Sequence, residues 1–430
     1  MTEKINIPND RQLKKLGEVC TYSKGKKPAF LSDLKTMECS IPYINIKAFE
    51  KGVFDEYTNG ERCNLCNDDN LLMVWDGARC GLVGKAKTGA VGSTLMKIEP
   101  KSNLDREYLY YFLLSKYRTI NSKPKGVGIP HVEPNLLWNF EIPIPPLPEQ
   151  HRIVSRIEEL FSELDNGIAQ LKTAKQQLKV YRQSLLKAAF EGRLTAAWRQ
   201  ANLKERKEEL SMAAEPEAGY GKDGKLPEGW KWVNSGKLFS FVTSGSRGWA
   251  KYYSNSGAIF IRITNLNYNT LKLDLSEDKI QYVNPPLGSE GSRTKIIEGD
   301  FLFSITGDLG MFAIAQNLEN AYVNQHVCLC RPKDGFCKEY VGFWIISNSG
   351  GHFYLNKSKK GAVKAGLNLD DLKNFPVPLA PEPEQEIIRF ELETRLTVCD
   401  KLGETINQNL QQAEALRQSI LKRAFEGRLV

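Results

Sequence analysis

Apolar residues spaced seven apart mark the middle of the chain. The stripe consists of five aliphatic residues: Ile157, Leu164, Leu171, Leu178 and Leu185. A second set stands three residues after each of them: Leu160, Gly167, Ala174, Tyr181 and Ala188. Two apolar positions per heptad are typical of a helix that packs along a coiled-coil seam. The pattern predicts a long helix within 148–200 that starts at a Pro-Glu pair and stops at Gly192.

The end of the chain carries a near copy of this helix. A shift of 235 residues places Pro148 on Pro383 and continues without a gap to Leu194 on Leu429, with 19 of the 47 pairs identical. The stripe recurs in the copy, with two leucines between its members: Leu392, Cys399, Ile406, Ala413 and Ile420, with Leu402 and Leu416. We expect the two helices to pack on each other. The alternative is that each stripe packs only on its own globular half.

The residues before each helix show a different pattern. Short β-branched and aromatic runs such as IPYINIK and DFLFSIT are separated by Gly, Asn and Asp, which is typical of strands joined by turns. One aromatic helix is predicted in each half, at REYLYYFLLSKY and KEYVGFWIIS. The matching order of these segments predicts an α+β protein written twice, with two mixed β-rich domains alternating with two long helices and an internal pseudo-two-fold repeat.

The resulting domain boundaries follow the two repeats. We expect a first domain at 1–147, a spacer helix at 148–200, a linker at 201–226, a second domain at 227–382 and a second spacer helix at 383–430. The linker is charged and then rich in Gly and Pro. The helix interface is predicted at ten positions: Ile157, Leu164, Leu171, Leu178, Leu185, Leu392, Leu402, Ile406, Leu416 and Ile420.

Composition narrows the class of protein. Of 430 residues, 41% are apolar and 26% charged, and the net charge is +8, which is compatible with binding nucleic acid. No apolar run is long enough for a membrane helix, and the polar start of the chain favours the cytoplasm. Nine cysteines without a regular spacing fit a reducing compartment. Cys63 and Cys66 form one CxxC, which could bind zinc only with help from Cys39 and Cys80, so we expect free thiols and no metal.

Three segments resemble catalytic motifs without completing them. GYGKDGKL (219–226) has the spacing of a phosphate-binding loop, but Leu226 stands where Ser or Thr would bind magnesium. VNPPLG (283–288) resembles the Asn-Pro-Pro-aromatic motif of amino-methyltransferases, but Leu287 replaces the aromatic residue. Asp300 and Asp308 could hold a metal, although Gly-Asp pairs are commonly turns. The sequence therefore predicts that this chain catalyses no reaction.

Basic and aromatic residues recur at matching places in the two halves and suggest DNA binding. Basic groups neutralise phosphates, whereas Arg, Asn and Gln can read base edges. The candidates in the first half are Lys24, Lys26, Lys27, Arg79, Lys123 and Lys125. Those in the second half are Ser246, Arg247, Trp249, Lys251, Tyr252, Asn324, Gln325, Lys359 and Lys360. Taken singly, each could equally be part of a solvated loop.

The doubled helix that starts at PEQ and ends in AFEGRL, together with LPEGWKW at the start of the second half, closely resembles the specificity subunit of type I restriction-modification systems. The resemblance covers nearly the whole chain. It implies that the globular halves are target recognition domains, each reading one part of a split, asymmetric sequence in double-stranded DNA. It also implies that the helices pack antiparallel and hold two modification subunits, which bind S-adenosylmethionine and methylate adenine, and that restriction subunits join this core.

Helix length agrees with such an assignment, since about 40 residues would form a helix of roughly 60 Å, enough to separate two readers by one to two DNA turns. Two alternatives stay open. The chain could be a stand-alone DNA methyltransferase, as VNPPLG suggests, or a coiled-coil scaffold unrelated to DNA. Methyl transfer without a partner would favour the first, and binding that ignores salt would favour the second.

Overall fold

Two compact units make up the chain. A computed structural model describes residues 12–126, 128–203, 226–286, 288–289, 293–358 and 366–430. Unit 1 comprises Met1–Thr173 with Ile406–Val430, and unit 2 comprises Ala174–Thr405. In the described part of the chain, no helix combines the length and the apolar character needed to cross a membrane.

Unit 1 is a mixed α+β domain with parts of both long helices. Its strands are β1 (Gln12–Lys15), β2 (Cys20–Lys24), β3 (Ile41–Ile44), β4 (Tyr57–Thr58), β5 (Leu65–Cys66), β6 (Leu71–Val74), β7 (Val83–Lys85), β8 (Gly89–Val91), β9 (Leu95–Pro100) and β10 (Glu141–Ile144). Its helices are α1 (Leu16–Val19), α2 (Ile46–Lys51), α3 (Arg106–Asn121), α4 (Pro134–Trp138) and the first part of α5 (Leu147–Phe190). The strands form sheets in the orders β2-β9-β6-β7, β4-β3-β8-β5 and β1-β10.

Unit 2 repeats this plan. After α6 (Ala196–Leu203) its strands are β11 (Lys231–Asn234), β12 (Phe239–Ser244), β13 (Tyr253–Ser254), β14 (Ala258–Ile261), β15 (Tyr282–Val283), β16 (Phe301–Ser304), β17 (Phe312–Ile314), β18 (Ala321–Val323), β19 (Val327–Pro332) and β20 (Pro376–Leu379). Its helices are α7 (Lys338–Ile346), α8 (Gly351–Lys357) and the first part of α9 (Glu382–Phe425).

The sheets of unit 2 have the orders β12-β19-β16-β17, β13-β15-β14-β18 and β11-β20. The first matches β2-β9-β6-β7 strand for strand. In the second, β14 pairs with β18 in parallel, as β3 pairs with β8. The predicted α+β class and internal repeat are confirmed.

The repeated AFEGRL motif packs each helix end into a domain. In unit 1 the Phe425 ring meets Tyr108 and Phe112 on α3 at centroid distances of 5.1 and 5.3 Å. In unit 2, Phe190 meets Tyr340 and Trp344 on α7 at 5.2 and 5.1 Å. Since Phe425 ends α9 and Phe190 ends α5, each domain is completed by the helix of the other repeat. The motif occurs twice because each domain packs one phenylalanine from a helix end against its own aromatic helix.

The repeated PEQ motif ties each helix start to its own domain. The Gln150 side chain accepts the Asp105 amide at 2.8 Å and donates to the Pro145 carbonyl at 2.8 Å. Gln385 does the same with the Cys337 amide, at 3.0 Å, and the Ala380 carbonyl, at 2.8 Å. Each buried amide fixes the turn between the last strand of a domain and the long helix, because an unpaired buried amide would be costly.

The helix ends fall where the sequence indicates. Gly192 and Gly427 both have positive φ, at 69° and 73°, a left-handed conformation that terminates helices and favours glycine. Backbone hydrogen bonds from Gly192 to Ala189 and from Arg193 to Ala188 close the last turn of α5.

Burial along α9 places two predicted interface positions at the exposed edge of the stripe, where Leu416 still lines a groove with Leu164 and Leu171 of α5. Leu402 and Leu416 are each 51% exposed, whereas Leu396 is 5% exposed. The second line of the stripe stands four residues after each first member instead of three: Leu396, Gly403, Leu410, Arg417 and Ala424. At 3.6 residues per turn these two spacings lie on opposite sides of the first line, about 60° before and 40° after it. Spacing alone therefore could not choose between them.

The other predicted interface residues are buried or half-buried. Ile157 and Ile420 belong to one buried cluster of unit 1, with Leu164 packed against it. In unit 2, Leu185 and Leu392 share a buried cluster. Leu178 contacts α9 at Gly403, where an added Cβ would lie 3.7 Å from its Cδ2. Leu171 and Ile406 are half-buried.

Candidate nucleic-acid interface

The first domain gathers three polar side chains at the ends of separate elements, here called cluster 1: Lys24, Asp76 and His131. Lys24 ends β2, and Asp76 follows β6 by two residues. Lys24 Nζ lies 2.9 Å from Asp76 Oδ2, and His131 Nδ1 lies 2.7 Å from Asp76 Oδ1. One carboxylate thus holds a lysine and a histidine at once.

The backbone fixes the positions of these residues. Gly25, directly after Lys24, lies so close to the β8–β9 connection that a Cβ would be 2.1 Å from the Gly92 carbonyl oxygen. His131 and Lys125 exchange two backbone hydrogen bonds of 2.9 Å. Cluster 1 therefore brings the loop that carries Lys123 and Lys125 to the end of β2.

The remaining basic candidates of the first domain are exposed. Lys26, Lys27, Lys123 and Lys125 all point to solvent, and Lys125 Nζ lies 3.9 Å from a Glu133 oxygen. Arg79 pairs with Glu50 at 2.6 Å while its side chain stays 60% exposed. Exposed lysines near one another provide positive charge that can neutralise phosphates.

The second domain has a corresponding group, here called cluster 2: Thr306, Asn324, Gln325 and His326. His326 Nδ1 lies 2.7 Å from Thr306 Oγ1, and His326 Nε2 lies 2.9 Å from Gln325 Nε2. The Asn324 side chain accepts the His326 amide at 2.9 Å. Gly245 lies against another segment of the backbone here, as Gly25 does, since an added Cβ would be 2.2 Å from the Val323 carbonyl oxygen.

The two clusters occupy the same place in the repeated fold. Lys24 and Ser244 are the last residues of β2 and β12, and Asp76 and Thr306 each follow the matching strand by two residues. Asp76 forms an isolated bridge with His131, and Thr306 forms one with Gly366. At these three matching positions the side chains are Lys, Asp and His in the first domain and Ser, Thr and Gly in the second. The other members of cluster 2, Asn324, Gln325 and His326, follow β18, which matches β8 of the first domain. Such a scaffold can present different chemistry to different base sequences.

The loop after β12 carries one predicted DNA-binding residue that is buried. Trp249 is only 5% exposed and stacks on Phe260 at 5.4 Å, so it supports the loop from beneath and does not lie on a binding surface. Its neighbours remain available, because Arg247 and Lys251 are exposed and Tyr252 and Ser246 are half-buried. Lys251 Nζ lies 4.9 Å from the centre of the Tyr252 ring.

Lys359 and Lys360 lie outside the described residues. They precede Gly366, whose bridge to Thr306 leads into cluster 2. Lys123 and Lys125 precede His131 and cluster 1 in the same order along the chain.

The partial catalytic motifs have structural explanations where the chain is described. Asp300 is fully buried and pairs with Arg331 through two contacts of 2.9 and 2.8 Å. Asn284 of VNPPLG donates to Ser254 and Ser256 in a turn. Leu287 and most of GYGKDGKL lie outside the described residues.

The CxxC pair does not converge on a common point. Cys66 donates to the carbonyls of Lys87 and Gly89, while Cys63 contacts Thr58 and Glu61. Burial raises the pKa of Cys66 to about 11, which disfavours the thiolate that zinc requires. Within the described ranges, no three His, Cys, Asp or Glu side chains are grouped so that they could hold a metal.

Four charged residues of the helices were missed by the sequence reasoning. Arg182 Nη1 lies 2.6 Å from Asp400 Oδ1 in unit 2, and Arg417 pairs with Asp165 in unit 1. The 235-residue shift places Arg182 on Arg417 and Asp165 on Asp400. Identical charged residues at matching places near an apolar stripe were the signal that could have revealed these pairs.

Asp76, His131, Thr306 and His326 were also missed. Asp76 and His131 are 55 residues apart in sequence and meet only through an isolated bridge. No local sequence pattern predicts a contact between residues so far apart in the chain.

The comparisons with known proteins all indicate the same family. The family described as type I restriction modification DNA specificity domain matches residues 8–176 and 227–412. The MjaVIII specificity subunit of a type I restriction enzyme from Methanocaldococcus jannaschii is 25% identical, over 99% of this chain and 94% of its own. The EcoBI specificity subunit from Escherichia coli is also 25% identical, over 93% of this chain and 82% of its own.

Solved structures share the fold. A chain from a type I restriction-modification system, solved to explain complex assembly and conformational transition, superposes with a TM-score of 0.71 at 19% identity, covering 98% of this chain and 99% of its own. The HsdS subunit from Thermoanaerobacter tengcongensis gives 0.52 at 19% identity, covering 98% of each chain. The two family matches coincide with the two repeats, and the chain therefore belongs to the family of type I restriction modification DNA specificity domains.

Proposed function

We propose that the two domains each read one half of a bipartite, asymmetric sequence in double-stranded DNA. As a member of its family the chain is the DNA-recognition subunit of a type I restriction-modification complex, and catalysis belongs to partner subunits. The observation that carries the proposal is the pair of clusters, which place different polar side chains on the same backbone. Two equal scaffolds with unequal side chains favour two unlike half-sites.

Phosphate contacts and base contacts are assigned to different residues within this proposal. The exposed lysines Lys26, Lys27, Lys123, Lys125 and Lys251 position the DNA backbone. Lys359 and Lys360, which lie outside the described residues, are assigned the same role from the sequence. Arg79 and Arg247, with Asn324 and Gln325, are the candidates for base edges, because their side chains can form two hydrogen bonds to one base.

The long helices are proposed to pack as an antiparallel coiled coil. The Arg182–Asp400 pair joins the late part of α5 to the early part of α9. The Arg417–Asp165 pair joins the late part of α9 to the early part of α5. Reciprocal pairs of this kind are what an antiparallel arrangement of two equal helices requires.

The helices are further proposed to hold two modification subunits, which bind S-adenosylmethionine and methylate adenine in the cytoplasm. Restriction subunits join this core in the full complex. The two repeats support one modification subunit per repeat, since each offers the same PEQ start and AFEGRL end.

The test is DNA binding by the complex assembled with its modification subunit. We expect tight binding to the methylated motif found in the host genome and weaker binding to a scrambled duplex, with both affinities falling as salt rises. Equal affinity for both duplexes would contradict the proposal. Transfer of labelled methyl groups to DNA by this chain alone would establish the methyltransferase alternative.

Binding that does not change with salt would instead favour a scaffold unrelated to DNA. The same salt titration therefore separates DNA recognition from the scaffold hypothesis.

A further inference from the structure

Cluster 1 contains a histidine that is held at one ring nitrogen and has a partly exposed side chain. His131 Nδ1 is held by Asp76 at 2.7 Å, and the His131 side chain is 44% exposed. Throughout the described residues no hydrogen bond reaches its Nε2. The Asp76 side chain that holds it is only 15% exposed.

We propose that His131 is a specificity-determining residue of the first domain and that Asp76 positions it. This inference rests on the proposed function. Because a carboxylate can only accept, the hydrogen of the neutral imidazole must sit on Nδ1, which leaves a lone pair on Nε2. Nε2 then accepts a hydrogen bond from the exocyclic amino group of an adenine or a cytosine in the major groove.

The surroundings of His131 fit contact with DNA. Lys24 shares the Asp76 carboxylate, and Lys125 is tied to His131 through two backbone hydrogen bonds. Lys26 and Lys27 follow Lys24 directly and are exposed. These ammonium groups would hold the phosphates on either side of a base that His131 reads.

The second domain lacks this reader. Gly366 stands at the place of His131, and its bridge partner is Thr306 in place of Asp76. The nearby His326 has both ring nitrogens occupied, by Thr306 and Gln325. A histidine reading one half-site only agrees with an asymmetric target.

The experiment measures DNA binding by the assembled complex carrying His131→Ala. His131→Ala should bind the target roughly ten- to a hundred-fold more weakly and bind random duplex almost as the parent does. It should also become indifferent to the identity of one base pair, within a single half-site. His151→Ala is the matched control, because His151 faces Asp105 at 3.4 Å in the same unit and its side chain is 63% exposed.

A base analogue makes the test specific to the predicted atom. Purine in place of adenine, or 2-pyrimidinone in place of cytosine, removes the exocyclic amino group. At the affected position the analogue should weaken binding by the parent and add nothing to the loss in His131→Ala. His131→Gln, a fold-preserving variant of similar length, should change the preferred base at the same position.

Asp76 is tested by rescue. Asp76→Asn keeps an acceptor for Nδ1–H and should retain the base preference, whereas Asp76→Ala should lose it as His131→Ala does. A structural role alone would not separate these two variants at one base pair.

The inference is overturned if His131→Ala and His131→Gln discriminate as the parent at every base pair, or if they weaken target and random DNA equally. A parent complex that does not prefer its own methylated motif would overturn the proposed function instead. The two failures are therefore distinguishable.

Discussion

Among single residues, burial separates the side chains that support a loop from those that are free to contact DNA. Trp249 is buried and stacks on Phe260, while Arg247 is exposed on the same loop between Gly245 and Gly248. Gly248 has a positive φ of 77°, a conformation that glycine adopts without strain. An exposed Arg247 on this loop is what the proposed base contact requires.

Arg247→Ala should cost about 1 to 3 kcal/mol of binding free energy on the target and little on random DNA, because a two-pronged contact to one base is lost. Lys27→Ala is the matched phosphate variant. It should weaken both duplexes alike and reduce the salt dependence by about one unit of slope. Salt titrations of both complexes measure the difference. Equal losses on both duplexes for Arg247→Ala would identify a phosphate contact, and base reading in that domain would then be sought at Asn324 and Gln325.

Cysteine reactivity provides a second test at this scale. Burial raises the pKa of Cys66 to about 11 and that of Cys337 to about 12, so almost no thiolate forms at neutral pH. Cys63 is partly exposed and should be alkylated by iodoacetamide well before Cys66 in the folded chain. Mass spectrometry of the labelled peptides, with and without a chelator, measures the order. Joint protection of Cys63 and Cys66 that a chelator removes would reveal a zinc site.

At the scale of elements, the two long helices depend on an apolar stripe and on paired charges. The stripe was predictable because a seven-residue interval persists over the whole helix. The side of the stripe was not, since Leu402 and Leu416 are as apolar as Leu396 and Leu410. Only the position of the facing helix decides which leucines are covered.

Leu396→Asp and Leu402→Asp test that correction within one helix. Leu396 is 5% exposed and Leu402 is 51% exposed. Placing a carboxylate at the buried position should lower the free energy of unfolding by about 3 kcal/mol or more, and the exposed position by less than about 1. Denaturant unfolding followed by circular dichroism gives both values. A larger loss at Leu402 would return the seam to the three-residue spacing.

A double-mutant cycle tests the Arg182–Asp400 pair. The Arg182 side chain is 10% exposed and also donates to the Asn269 carbonyl at 2.7 Å, so we expect a coupling energy of about 1 to 2 kcal/mol. The surface pair Lys187–Glu191 at the end of α5, at 3.7 Å, is the control and should give about 0.3 kcal/mol. Equal coupling in the two cycles would show that Arg182 does not secure the helices.

At the scale of the whole molecule, repetition decided how much could be predicted. The repeat predicted two domains, two helices and the helix ends because it consists of residues that are contiguous in the sequence. Cluster 1 joins Lys24, Asp76 and His131, which are far apart in sequence and meet only when the sheet has formed. The sequence therefore located basic loops but not the carboxylate and imidazole between them. It also could not show that Trp249 points inward, since aromatic residues are common both in cores and at binding surfaces.

Each domain is proposed to read its half of the DNA independently of the other. Exchanging residues 227–375 for the matching segment of a relative replaces the second domain and leaves cluster 1 and both AFEGRL motifs in place. Sequencing of methylated bases in a host that carries the chimera and its modification subunit gives the new target directly. We predict that one half of the methylated motif changes and the other stays as in the parent. A chimera that assembles and methylates, but alters both halves together or neither, would contradict independent reading.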